Sequence, residues 1–193
     1  MRLLHHGVLP RGEAIAAESR NPARKLYYEV SGSGHPLVLL HEGFADNRMY
    51  DDQVAAFGAR HRVIRYDRHG SGRSGAPPGP YTDHDALRAL LRHLGVARTA
   101  VLGMSAGAGV ALDFSLAYPE VVDVLVLAAP TIGGYTSSAA TLAGWAAFGA
   151  ALEQGDAPGA VELLLGTWVD GPQRTPDGVA PAVRERMRAL MAH

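Results

Sequence analysis

Hydrophobic positions along this chain follow two patterns. Short unbroken apolar runs alternate with longer segments in which apolar residues recur every three or four positions. Residues 36–41 (Pro-Leu-Val-Leu-Leu-His), 62–66, 99–102 and 121–129 are of the first kind and read as strands covered on both faces. Residues 25–31 (Lys-Leu-Tyr-Tyr-Glu-Val-Ser) alternate and are rich in strand formers, so they read as a strand closed by the turn 32–34. Helices are expected over 49–59, 82–94 and 106–118. The clearest is 82–94, with Thr82 or Asp83 as cap and Leu87, Leu90, Leu91 and Leu94 on one face. Strands alternating with helices predict an α/β chain, a mostly parallel sheet with helices on both faces. In such sheets the ligand crevice lies beyond the carboxyl ends of the strands, where His41, Asp67 and Ser105 fall.

After Pro130 the pattern changes. Residues 141–152 have helical length and no polar face, so such a helix must be covered on most sides or line an apolar pocket. Residues 160–165 and 181–191 read as further helices, and no strand is expected after 129. The chain thus divides into an N-terminal arm (1–24), a core (25–130) and a helical segment (131–193). The run 124–129 is apolar on both faces and is expected to be a central strand. As the last strand it would instead leave an open edge, with no charge, proline or bulge to blunt it. Another strand is therefore expected beside it, the chain is expected to be a piece of a longer protein, and the edge is a candidate surface for self-association.

Composition narrows the classes. A length of 193 residues allows one domain with a sizeable core and a small subdomain. A hydrophobic fraction of 47% with a formal charge of −1 fits a globular protein and gives no basic excess for nucleic acid or an anionic membrane. The apolar segment 141–152 is too short to span a bilayer. The absence of cysteine excludes a disulfide framework, a thiol nucleophile and thiolate metal sites, and fits a cytoplasmic setting.

The candidate chemistry centres on Gly103-Met104-Ser105-Ala106-Gly107. An apolar run precedes this Gly-x-Ser-x-Gly and a helix follows it, ending before Pro119. A strand that turns directly into a helix strains the residue at the tip. Gly103 and Gly107 are small because side chains there would collide across so sharp a turn. The strain exposes the Ser105 hydroxyl above the strand end and aims the following N–H groups at a developing oxyanion.

With strand before and helix after, this motif resembles the nucleophile elbow of the α/β-hydrolases. His41-Glu42-Gly43-Phe44 resembles the family's oxyanion loop, although the family more often has Gly where Glu42 stands. Residues 67–74 resemble its Asp-x-Arg-Gly-x-Gly-x-Ser turn, with His69 in the Arg place. The helical segment 131–193 resembles the start of the cap in esterases and 3-oxoadipate enol-lactonase-like enzymes. The resemblance implies a serine hydrolase of carboxylic esters, lactones or similar acyl bonds, whose small-molecule substrate is attacked by Ser105. It implies oxyanion donors at Gly43 and Ala106, each such donor being worth about 3–4 kcal/mol in the transition state. It also implies that the last two strands, with the catalytic acid and His, lie beyond this chain: the only His after Ser105 is His193, and 130–134 hold no carboxylate. The alternative is a non-catalytic hydrolase-like fragment or ligand-binding remnant.

Other polar residues have plainer readings. His41 is expected to orient the oxyanion loop and His69 to hold its turn. His5, His6, His35, His61, His84 and His93 are expected to be solvated, in loops, on helix faces or in the arm. Glu42 is expected to be an exposed loop carboxylate and Asp113 to lie on a polar stripe. Phe44, Trp145 and Phe148 are candidates for lining an apolar acyl pocket. No metal-ligand spacing and no nucleotide fingerprint is present, so no metal and no cofactor is expected.

Overall fold

The computed structural model describes residues 13–14, 26–77 and 79–192. The arm expected over 1–24 lies outside the described residues apart from β1 (Glu13–Ala14). Five longer strands follow: β2 (Tyr27–Ser31), β3 (His35–Leu40), β4 (His61–Tyr66), β5 (Thr99–Met104) and β6 (Val122–Ala128). The sheet order is β1-β2-β4-β3-β5-β6. β1–β2 and β2–β4 pair antiparallel; β4, β3, β5 and β6 run parallel. The register aligns Leu40 with Tyr66 and with Gly103. His41, Asp67 and Ser105 therefore emerge together at one end of the sheet.

Alternation along the strands builds two cores. Val38 and Leu40 of β3 face α2 (Asp83–His93) and α3 (Ala106–Ala117), meeting Leu87, Leu90, Leu91, Ala111 and Phe114. Leu37 and Leu39 face the other way, toward Tyr50, Met49 and Phe57 of a 3₁₀ turn (Asn47–Tyr50) and α1 (Asp51–Gly58). Helices thus cover both faces, as the pattern predicts. The cap of α2 is Thr82, whose hydroxyl oxygen accepts from Asp85 N–H at 3.2 Å.

β6 lies at the edge of the described sheet, not in its centre, with Val124 and Val126 exposed. Only one of its faces is covered: Leu125 and Leu127 pack against the core shared with α3, while Val124 and Val126 on the other face are exposed. One histidine also differs from expectation. His61 lies in β4, half-buried, with its Nδ1 buried and without a partner. His35 opens β3 and stands 3.1 Å from an Asp123 carboxylate oxygen.

The chain forms two compact units, the first ending at Thr131 and the second starting at Ile132. The second holds α4 (Ala139–Glu153), α5 (Ala157–Leu164), a π-helical turn (Leu165–Asp170), a 3₁₀ turn (Pro176–Gly178) and α6 (Pro181–Met191). No residue of α4 is buried, so of the two expectations for an apolar helix it is not covered on most sides; its Thr141, Trp145 and Phe148 instead line a small cavity with Leu164 and Trp168 of the same unit. Within the unit, Trp145 meets Phe148 edge-on at 6.1 Å and Trp168 at a tilt at 6.0 Å, ring centre to ring centre. Buried Asp170 pairs with Arg184 at 2.6 Å. Among the described residues no helix is long and apolar enough to cross a membrane.

Candidate active site

Ser105 sits between β5 and α3 with φ 50° and ψ −116°, a conformation that L-residues rarely adopt. Such strain costs about 1–3 kcal/mol and persists only where surrounding structure enforces it. Here the enforcement is close backbone contact. A Cβ on Gly103 would stand 2.3 Å from the Gly107 carbonyl oxygen, and one on Gly107 would stand 2.4 Å from those of Leu40 and His41. Only glycine lets α3 approach both β5 and the end of β3 this closely. The Ser105 backbone is fixed on both sides: its N–H donates to Ala128 at 2.9 Å, and its carbonyl accepts from Ala108 N–H at 3.0 Å and Gly109 N–H at 3.1 Å. The hydroxyl is half-buried and makes no hydrogen bond among the described residues.

The N–H of Ala106 opens α3, where the first amides have no carbonyl within the helix to bond. Gly43 lies alongside, since a Cβ placed on it would stand 3.7 Å from the Cβ of Ala106. The two residues expected to supply oxyanion donors are therefore neighbours. Phe44 follows directly in the same loop. Trp145 and Phe148 belong to the second unit.

The loop after β3 is held by His41, which is fully buried. Arg68 N–H donates to its Nε2 at 3.0 Å, and its Nδ1 lies 2.6 Å from the Glu42 carbonyl oxygen. Nε2 must accept, so the proton sits on Nδ1 and the ring is neutral. Burial, reinforced by the nearby Arg68 charge, lowers its pKa from 6.5 to about 4. His41 thus ties the loop after β3 to the turn after β4 and is occupied on both nitrogens.

Asp67 supports the same region. Its Oδ1 accepts from Asn47 N–H at 2.8 Å and Asn47 Nδ2 at 2.6 Å, and its Oδ2 from Arg73 N–H at 2.8 Å. Burial pushes its pKa up, against the pull of these hydrogen bonds. His69 holds the turn through Nδ1, 3.1 Å from the Gly75 carbonyl oxygen.

Glu42 departs from the sequence reading. It is half-buried, and its Oε2 accepts from Phe44 N–H at 2.9 Å while Oε1 is buried without a partner. Burial raises its pKa, and the backbone N–H of Phe44, the Arg68 charge and the N–H groups of Gly43 and Ala45 oppose the rise. Only the Phe44 N–H reaches hydrogen-bond geometry; the other two lie near enough to act electrostatically. Sequence reasoning also missed Arg68. Its guanidinium donates to the Glu42 carbonyl oxygen at 3.2 Å, pairs with Asp83 at 3.5 Å and leaves a buried Nε unpartnered. The one available signal concerned Glu42, a charged residue where the related motif more often carries glycine; Arg68 stands at an unconstrained position of the 67–74 motif.

No imidazole or carboxylate hydrogen-bonds Ser105 among the described residues, and no group of three His, Asp or Glu there is placed to hold a metal ion. The local chemistry is a strained, unengaged hydroxyl beside backbone donors.

Comparison with known proteins gives the same architecture. The family described as the alpha/beta hydrolase fold matches residues 36–168. A protein of Azorhizobium caulinodans named as a carbamate hydrolase, RutD, is 36% identical over 105 residues, covering 53% of this chain and 40% of that protein. The crystal structure of a hydrolase from Pseudomonas aeruginosa superposes with a TM-score of 0.72 at 31% identity, covering 86% of this chain and 62% of that one. An esterase from a Rhodococcus species superposes with a TM-score of 0.70 at 28% identity, covering 86% and 64%. The chain thus spans about two fifths of that curated relative.

Proposed function

This chain belongs to the α/β-hydrolase fold family, and from that premise we propose that it carries the nucleophile and oxyanion donors of a serine hydrolase acting on carboxylic esters, lactones or similar acyl bonds. The observation that supports this most is the Ser105 backbone, held at φ 50° by glycine-only contacts with its hydroxyl unengaged.

In this reading Ser105 Oγ attacks the acyl carbon of a small-molecule ester or lactone. The carbonyl π pair moves onto oxygen, where the Ala106 and Gly43 N–H groups stabilise the charge. Collapse of the tetrahedral intermediate expels the alcohol and leaves the acyl group on Ser105, and water then releases the acid. The hydroxyl proton needs a base, and none contacts Ser105 among the described residues, so the proposal assigns neither base nor acid.

That same observation favours a second reading, a ligand-binding remnant that keeps the site without turnover. A fluorophosphonate separates the two. Covalent labelling at Ser105, seen by peptide mass spectrometry and lost in Ser105→Ala, is expected of an activated nucleophile. An unlabelled protein that still binds ester analogues would sink the catalytic reading. Ranking p-nitrophenyl esters by acyl length, in the parent protein and in Trp145→Ala and Phe148→Ala, tests the proposed preference for apolar acyl groups. The exposed β6 edge is a proposed surface for self-association, and a strictly monomeric elution in size-exclusion chromatography would remove it.

A further inference from the structure

Arg68 is a costly residue in the place it occupies. Its side chain is only 13% exposed, its contact with Asp83 is long at 3.5 Å, and its buried Nε has no partner. A guanidinium taken out of water and left partly unsatisfied offsets little of its desolvation cost. Its Nη2 donates to the Glu42 carbonyl oxygen at 3.2 Å, the same oxygen that accepts from His41 Nδ1 at 2.6 Å. Two side chains, one from the end of β3 and one from the turn after β4, thus converge on a single carbonyl. That carbonyl shares its peptide group with the Gly43 N–H, the donor assigned to the oxyanion. The peptide is trans, so its C=O and N–H point in opposite directions. Holding the carbonyl against His41 and Arg68 therefore holds the Gly43 N–H turned away from them, on the residue that lies against Ala106 at the start of α3.

We propose that Arg68 is a positioning residue for acyl transfer: its guanidinium, together with the His41 ring, sets the Glu42–Gly43 peptide so that the Gly43 N–H is aimed at the oxyanion formed at Ser105. The inference rests on the serine-nucleophile reading of the site. Arg68 acts twice on the same peptide. Its backbone N–H donates to His41 Nε2 at 3.0 Å, which leaves the ring proton on Nδ1 to be donated to Glu42. Its guanidinium then adds a charge-assisted contact to that carbonyl, and Asp83, the first residue of α2, anchors its Nη1. A carbonyl that accepts two hydrogen bonds, one of them from a cation, polarises its own peptide, and the N–H at the other end becomes a stronger donor. Arg68 acts through this peptide and not on the substrate.

Three proteins test it: the parent, Arg68→Met and Arg68→Lys. The backbone N–H to His41 survives in all three, so they differ only in the head group offered to the Glu42 carbonyl. In Arg68→Met the NMR resonances of the Glu42 carbonyl carbon and the Gly43 amide are expected to shift, while His41 Nε2 keeps its parental one. Fluorophosphonate labelling of Ser105 should be about tenfold slower, the range a charge-assisted hydrogen bond commands. Arg68→Lys keeps the charge without the planar fork and should lie between the other two in both readouts. It carries both comparisons if the methionine variant fails to fold. Unmoved Glu42 and Gly43 resonances would show that the guanidinium does not hold the peptide and overturn the inference. A displaced His41 Nε2 resonance as well would mark Arg68 as a brace for the whole loop and overturn the assignment to this peptide. Shifts as expected, with labelling as fast as in the parent, would overturn the role in acyl transfer. Absence of labelling in all three defeats the serine reading and that role with it, while the resonances still decide whether Arg68 holds the peptide.

Discussion

α3 and α4 are made of nearly the same material and meet opposite fates. Both are rich in Ala and Gly and carry few polar residues. α3 buries Gly107, Ala108, Val110, Ala111 and Phe114; no residue of α4 is fully buried, and Leu142, Trp145 and Leu152 are exposed. α3 lies against β5, β6, β3 and α2, whereas α4 packs on α5. Apolar composition makes a helix able to gain from burial, but the gain is realised only where a partner surface exists. The sheet supplies that surface to α3 along its length. The lesson extends to β6, as apolar as β3 yet with Val124 and Val126 exposed on the face away from α3.

Phe114→Ala tests this contrast most severely. The ring is fully buried between sheet and α2, so its loss should cost about 3–5 kcal/mol in urea unfolding. Trp145→Ala removes a larger side chain that is 38% exposed, and should cost clearly less, about 1–2 kcal/mol. Equal costs would break the contrast between the helices.

Next in size is the pH response of the first unit. His41 has its folded pKa lowered from 6.5 to about 4 by burial and by Arg68. The unfolded chain therefore takes up this proton first, and stability present above about pH 6.5 should be lost as pH falls to about 4. The shift corresponds to about 3 kcal/mol. Glu42 and Asp67 act with the opposite sign. Their pKa values are raised, so what they contribute is present below the ordinary carboxylate value and lost as pH rises through the folded one. An NMR titration of the His41 ring isolates the histidine; a midpoint near 6.5 would refute its assigned environment.

The smallest expected effect lies at the start of α3. Ser105→Gly relieves the φ 50° strain and should stabilise the protein by about 1 kcal/mol while abolishing fluorophosphonate labelling. A destabilised variant would mean that the elbow conformation is not strained.

Much of this was legible in the residues themselves. The parallel strands show as unbroken apolar runs, because strands covered by helices on both faces have no polar side. The elbow is readable because part of its constraint is local: Gly103 must be small where the strand folds straight back into the helix, whereas Gly107 must be small because the end of β3 passes against it. The cap at Thr82 follows from its position at the helix start, and the loop-holding role of His41 is what the resemblance to the α/β-hydrolases implies. The Glu42 carboxylate was misread as exposed because nothing in the sequence around it tells whether a loop folds over its own side chain.

The sequence by itself therefore determined the alternation of strands and helices and the site of Ser105, since both depend on contacts between residues close along the chain. The tertiary structure alone decided that β6 ends the described sheet, that α4 keeps its apolar surface uncovered, and that Arg68 and the 43–45 amides surround Glu42. Those outcomes depend on which distant segments come together in space, and hydrophobic pattern records only that a residue gains from a partner, not which partner it finds.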